Sequence, residues 1–288
     1  MSESEQKILD QLISARDLYL KGDYPKAIEI YKELETVLKD DPENLLVILI
    51  ELGWAFYNNQ EYENAITRME KAIAGKNINQ QQMFDCYRII GFCYEMLKKD
   101  DLAIKNLESA LTIDVSRSAK RYAIFEMGKI YFTAGQIVKA QEYLKEANQL
   151  FEDSEMDYKT ALAYYLGFAA YFEKNFPLAQ KHFNFVVQRG KDYKTLAGGY
   201  FGLAHLHYQH KEYEALIDTS EKIMRLDDAF FDKETLGYFL CEAYLNLKDN
   251  KELSNFFSEL KSAYPKGRYA SEYPKFERAL KEEKTSPN

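Results

Sequence analysis

Three of the four histidines fall in one short stretch, His205-Leu-His207-Tyr-Gln-His210. That density raises the question of a metal site. On a helix His205 and His207 would point about 200° apart and could not share an ion. His207 and His210 could meet, but His210 falls at an expected turn. The stretch therefore reads as one core, one groove and one turn histidine, and neither metal nor other cofactor is expected. Three acids, Asp85, Glu95 and Glu242, raise a second possibility, because paired carboxylates can cleave glycosidic bonds. The acidic pairs Asp40-Asp41, Asp100-Asp101 and Asp227-Asp228 sit at expected turns and read as solvated. Gly198, Gly199 and Gly202 follow no strand, so they are not a dinucleotide loop; they read as sites where first helices pack closely, or where that helix is locally weakened. No nucleophile–base signature, P-loop or HExxH run occurs. Cys86 and Cys93 lie seven apart in a helical stretch, roughly 10 Å, which is beyond disulfide reach.

Composition narrows the classes further. The 288 residues carry 38 Lys and Arg against 46 Asp and Glu, a net charge of −8. A nucleic-acid or anionic-membrane binder needs the opposite sign, so neither partner is expected. The longest apolar run, Leu45 to Ile50, is far short of the ~18 residues of a membrane span. The acidic, polar start resembles neither a signal nor a transit peptide, which makes a cytoplasmic protein the expectation. A periplasmic protein without its signal would read the same. With 46% hydrophobic residues the chain can build a large core, and only 6 Pro and 13 Gly are too few turns for an all-β chain.

What must position these residues is a repeat. A turn followed by a small residue recurs at Ala27, Ala65, Ala103, Ala140 and Ala179, and more weakly at Leu216 and Leu253. Successive anchors are 38, 38, 37, 39, 37 and 37 apart. Twelve residues before each lies a second small slot: Ala15, Gly53, Gly91, Gly128, Gly167, Ala204 and Cys241. Small residues belong where two helices approach closely. Four residues after each anchor come Tyr31, Met69, Leu107, Leu144, Phe183, Ser220 and Phe257, on the same helical face as the anchor. Each unit therefore reads as two antiparallel helices joined by a tight turn.

This pattern resembles the tetratricopeptide repeat (TPR). The small slots, the aromatics Tyr24, Tyr62, Phe176 and Tyr213, and Pro265 after the seventh unit carry the resemblance. It covers roughly residues 8 to 267. It implies an all-α chain, an α-solenoid wound as a right-handed superhelix of about seven helix pairs. The expected organisation is a leader over 1–7, one cooperative solenoid over 8–267, a capping helix over 268–283 begun by Ser271, and a disordered tail over 284–288. Departures are present. The family repeat is ~34 residues, and the extra residues here must fall between pairs. Leu216 and Leu253 should splay the sixth and seventh pairs.

In the family the first helix of each pair lines the concave face. Counted from the first small slot, that stripe lies at −6, −3, +1 and +4. Thirteen of its 28 positions are aromatic, where the 15% chain average predicts about four. Exposed helix faces are normally charged, whereas aromatic and Arg side chains dominate binding hot spots. The candidate groove residues are Trp54, Tyr57, Arg88, Phe92, Phe125, Lys129, Phe132, Tyr164, Phe168, Tyr171, Phe201, His205, Tyr208 and Tyr238. Either this stripe binds an apolar or aromatic segment of a partner protein, or tight curvature buries part of it between neighbouring first helices. The expected function is a non-catalytic interaction scaffold. The alternatives are a self-associating scaffold and, third, a toroidal enzyme using the groove acids. The family's best-known groove clamps an acidic C-terminus with Lys, Asn and Arg. Here Leu12, Arg16, Trp54, Arg88 and Phe92 stand at those positions, so the resemblance does not imply a chaperone co-factor of that type.

Overall fold

The computed structural model describes residues 3–285, and among them every regular element is a helix. They cluster into two compact units, residues 1–150 and 151–288. The first unit holds four helix pairs: α1 (Glu3–Leu20) with α2 (Tyr24–Val37), α3 (Pro42–Asn58) with α4 (Tyr62–Ile73), α5 (Gln80–Met96) with α6 (Asp100–Thr112), and α7 (Arg121–Thr133) with α8 (Ile137–Leu150). The second holds α9 (Met156–Phe172) with α10 (Phe176–Arg189), α11 (Tyr193–His210) with α12 (Tyr213–Leu226), α13 (Lys233–Leu247) with α14 (Asn250–Ala263), and a last helix, α15 (Tyr273–Thr285).

The turn inside every pair is the same object. Gly22, Gln60, Lys98, Gly135, Lys174, Lys211 and Lys248 all have positive φ, between 58° and 80°. Each stands five residues before its anchor. In each turn the next residue's N–H reaches back to close the first helix, as in Asp23 N to Leu18 O at 2.9 Å and Asn175 N to Ala170 O at 2.9 Å. Paired with the shorter bond from the left-handed residue, this is the Schellman end of a helix. Asp23, Asn175 and Asp249 then cap the second helix by accepting from its first backbone N–H groups.

The small slots meet the residues four after the anchor, as the spacing requires. An ideal Cβ on Gly91 would stand 2.7 Å from Leu107 Cγ, on Gly128 2.7 Å from Leu144 Cγ, and on Gly167 2.6 Å from Phe183 Cε1. Ala27, Ala65, Ala103, Ala140 and Ala179 have no exposed surface. Two of the three glycines singled out in α11 do something other than expected. Gly198 alone faces a first helix, with Tyr164 at ordinary contact distance; a Cβ on Gly199 or Gly202 would collide with Val186, Val187 or Phe183 of α10. The close approach is therefore between α11 and the second helix of the preceding pair.

The chain ends also differ from the sequence expectation. Helix α1 begins at Glu3, inside the expected leader. The last helix starts at Tyr273 after a 3-10 turn at Ala270–Glu272, so Ser271 lies in that turn and does not cap it. Lys284 and Thr285 continue the helix, and residues 286–288 of the expected tail lie outside the described residues. The residues added between pairs are distributed unevenly: residues 190–192 link α10 to α11, and 113–120 link α6 to α7.

Candidate functional site

In the first unit the stripe residues of successive first helices touch. Arg88 on α5 lies over the ring of Trp54 from α3 at 5.3 Å, over Phe92 at 5.7 Å and over Tyr122 from α7 at 5.8 Å. Its own helix supplies Phe84, at 5.7 Å. Asp85 Oδ1 accepts from Arg88 Nη2 at 2.8 Å, while Nε is buried with no acceptor. The guanidinium is thus held among rings, where a desolvated cation gains most from aromatic faces. Tyr57 and Phe92 approach to 6.4 Å between centroids. Burial pushes the Tyr57 hydroxyl up to about 12, with Glu126 adding to it. Lys129 lies over Phe125 at 5.7 Å and pairs with Glu126 at 2.5 Å. Burial raises the Glu126 carboxyl against the opposing pull of Lys129. Phe132, on the same face of α7, is half-buried.

In the second unit the stripe closes around His205. Its ring meets Phe201 at 4.4 Å, Phe239 at 5.0 Å, Phe168 at 5.3 Å and Tyr171 at 5.7 Å, all near perpendicular. Nδ1 hydrogen-bonds the Phe201 carbonyl at 2.9 Å. Burial lowers the His205 pKa, the principal effect, which holds the ring neutral. Tyr164 packs edge-on against Phe168 at 5.0 Å. Tyr208 stacks on Phe239 at 4.6 Å, and its hydroxyl lies 3.2 Å from that of Tyr238. Tyr238 in turn stacks on Tyr269 at 4.1 Å.

Burial divides the candidate residues. Phe125, Phe168, Phe201 and Tyr238 are 7%, 6%, 4% and 7% exposed and belong to the core between first helices. Trp54, Tyr57, Arg88, Phe92, Lys129, Phe132, Tyr164, Tyr171, His205 and Tyr208 are half-buried. Neither the Tyr164 nor the Tyr171 hydroxyl has a hydrogen-bond partner among the described residues.

The other chemical candidates are engaged elsewhere. His207 Nδ1 hydrogen-bonds Glu212 at 2.7 Å, and His210 packs edge-on against Phe176 at 5.3 Å. Among the described residues no three His, Cys, Asp or Glu side chains converge as metal ligands. Asp85 pairs with Arg88, and Glu242 pairs with Lys275. Cys86, Cys93 and Cys241 are buried free thiols, each pushed up to about 12 by desolvation. No described helix is long and apolar enough to cross a membrane.

Comparison with known proteins agrees with the register. A family model described as the SusR N-terminal TPR domain matches residues 14–155. A TPR repeat-containing protein of Methanocaldococcus jannaschii is 28% identical over 145 residues, covering 46% of this chain. The chain carries tetratricopeptide repeats over residues 14–155. It spans 23% of the length of that archaeal TPR relative. Two solved TPR-like structures share the fold. A chain of the APC/C hetero-tetramer Cut9–Hcn1 superposes with a TM-score of 0.65 at 19% identity, covering 92% of this chain and 48% of that one. A tetratricopeptide repeat protein of Parabacteroides merdae superposes with a TM-score of 0.60 at 16% identity, covering 96% and 98%. TPR folds of this kind are protein-interaction scaffolds.

Several residues of this TPR surface were not singled out from the sequence. Phe239 lies two residues before its slot, off the stripe, yet it stacks on Tyr208 and meets His205. Glu126 faces Lys129 from the same turn. Tyr269 and Lys275 come from beyond the seventh pair; Lys275 Nζ is 3.5 Å from the Tyr238 hydroxyl. The fixed three-residue spacing of Glu126 and Lys129 was the one available signal; Phe239 depends on how α13 packs against α11, and Tyr269 and Lys275 on how the C-terminal segment folds back.

Proposed function

We propose that the chain is a non-catalytic scaffold that binds a segment of a partner protein on the first-helix stripe of its second unit. The observation that carries this is the layering there. Half-buried Tyr164 and Tyr171 stand on a packed floor of Phe168, Phe201 and His205, and half-buried Tyr208 stacks beside them on Phe239. Edge-to-face contacts, and stacking at Tyr208, fix these rings in advance, so little side-chain entropy remains to be lost on binding. The unpaired hydroxyls of Tyr164 and Tyr171 supply polar contacts to a peptide backbone or an acidic side chain. A segment with apolar anchors and one acidic residue fits that surface. That the Cut9–Hcn1 chain comes from a hetero-tetramer supports an assembly role in general terms.

The test compares binding with stability. The partner is recovered from native cells and titrated against Tyr171→Ala, Tyr208→Ala and Phe168→Ala. Tyr171→Ala and Tyr208→Ala should weaken binding by about 2 kcal/mol, some thirtyfold, at nearly unchanged melting temperature. Phe168→Ala should instead lower stability by about 3–5 kcal/mol, because it empties a core site. Unchanged affinity in both Tyr variants would refute the reading.

A further inference from the structure

The face of α13 opposite the stripe carries a different feature. Its residues Lys233, Leu236, Gly237 and Leu240 lie on the side away from Tyr238 and Glu242, at 100° per residue. There a cleft of about 350 Å³ opens, walled by α14 and by the end of α12 with its following loop. Leu236, Leu240, Phe230 and Leu260 are buried around it. Gly237 leaves it open, since a Cβ there would come within 3.1 Å of Leu260 Cδ1. The cleft belongs to the pair where Leu253 replaces the alanine found in the first five pairs.

Its rim is acidic. Asp227, Asp228 and Glu259 border it, against one cation, Lys233. No ion pair engages any of these three carboxylates among the described residues, and the Asp227 carboxylate accepts only the Ala229 N–H, at 3.1 Å. Elsewhere in this unit carboxylates at packed positions are paired, as Glu234 is with Arg268 and Glu242 with Lys275. An apolar floor whose rim sets three carboxylates against one lysine is complementary to an apolar side chain flanked by cations.

We propose that this cleft is a second docking site, separate from the aromatic stripe, for a partner segment bearing an apolar anchor flanked by Lys or Arg. A Leu, Met or Phe side chain fills the cleft, and the flanking cations meet Asp227, Asp228 and Glu259. The chain's net charge of −8 favours encounter with such a segment.

The probe is a fluorescein-labelled amphipathic peptide of Leu and Lys, titrated against the full chain by fluorescence anisotropy. Two controls replace every Lys by Glu or every Leu by Ser. The Leu–Lys peptide should bind, and both controls should bind roughly tenfold more weakly or worse. Ala263→Trp fills the cleft from an exposed rim position without changing charge. Asp228→Lys with Glu259→Lys reverses the rim at exposed positions. Each should weaken the Leu–Lys peptide roughly tenfold or more, while Val138→Ala, at an exposed position of the first unit, leaves it unchanged. No binding, equal binding of the Glu peptide, or insensitivity to Ala263→Trp overturns the proposal. So does a dimer in sedimentation that Ala263→Trp converts to monomer, which assigns the cleft to a second copy.

Discussion

His205 is the residue at which the aromatic stripe acquires a titrating group. Four rings enclose it, and burial depresses its pKa below the usual 6.5. Asp232 pulls in the opposite direction and Arg268 in the same one, both weaker than desolvation. In the unfolded chain the ring takes a proton near its ordinary pKa, while in the fold it resists until lower pH. The stability tied to neutral His205 is therefore complete above about pH 6.5 and is lost as pH falls toward the depressed value. Replacing the ring with a similar hydrocarbon removes this dependence. His205→Phe should flatten the fall in melting temperature between neutral and mildly acidic buffer, with little change at pH above 7. A fall as steep as in the wild type would show that other groups control acid stability. The identity of this residue as a groove position was legible in the +1 spacing from Ala204. Its enclosure was not, because Phe239 reaches it from an off-stripe position two residues before Cys241.

At the scale of elements, the seven turns repeat one backbone conformation with different residues. Only Gly22 and Gly135 adopt it freely; Gln60, Lys98, Lys174, Lys211 and Lys248 hold φ near 60°. A left-handed non-glycine residue costs roughly 1–2 kcal/mol. Four of the five are Lys at a helix C-terminus, where a cation offsets about 0.3–1 kcal/mol against the helix dipole. The two contributions separate with salt, since screening removes the second and leaves the first. Lys174→Gly and Lys98→Gly should therefore stabilise by up to about 1 kcal/mol at high ionic strength and by less at low. Gly135→Ala should cost about 1 kcal/mol at either. Urea midpoints at constant m would read these changes. A salt-independent effect of Lys174→Gly would rule out the dipole contribution. The turn positions were legible because the anchor spacing fixes them. Their conformation was not, because lysine gives no local signal for positive φ. The same limit applies at the C-terminus, where Pro265 marked an ending correctly but Ser271 suggested a cap that the 3-10 turn displaces. At Ser220 the spacing predicts an inward-facing position, and the residue is buried, but it gives no sign that the Oγ lacks a hydrogen bond.

At the scale of the whole molecule, the question is how far a local defect travels. In the second to fifth pairs a glycine slot is opposed by the residue four after the anchor, and that contact recurs from pair to pair. In such an array stability is close to a sum of repeat and nearest-neighbour contributions. Gly91→Leu places a branched side chain where even a Cβ would lie 2.7 Å from Leu107 Cγ. Overpacking of this kind costs about 1–3 kcal/mol. Hydrogen exchange should rise in α5 and α6, less in α4 and α7, and not in residues 151–288. Gly167→Leu, opposed by Phe183, should act in mirror image, raising exchange in α9 to α11 and leaving residues 1–150 unchanged. Two local footprints would mean that the two compact units respond separately although the repeat register runs through both. A uniform rise from either substitution would mean that all seven pairs unfold as one cooperative body, which is the organisation expected from the unbroken spacing of the anchors.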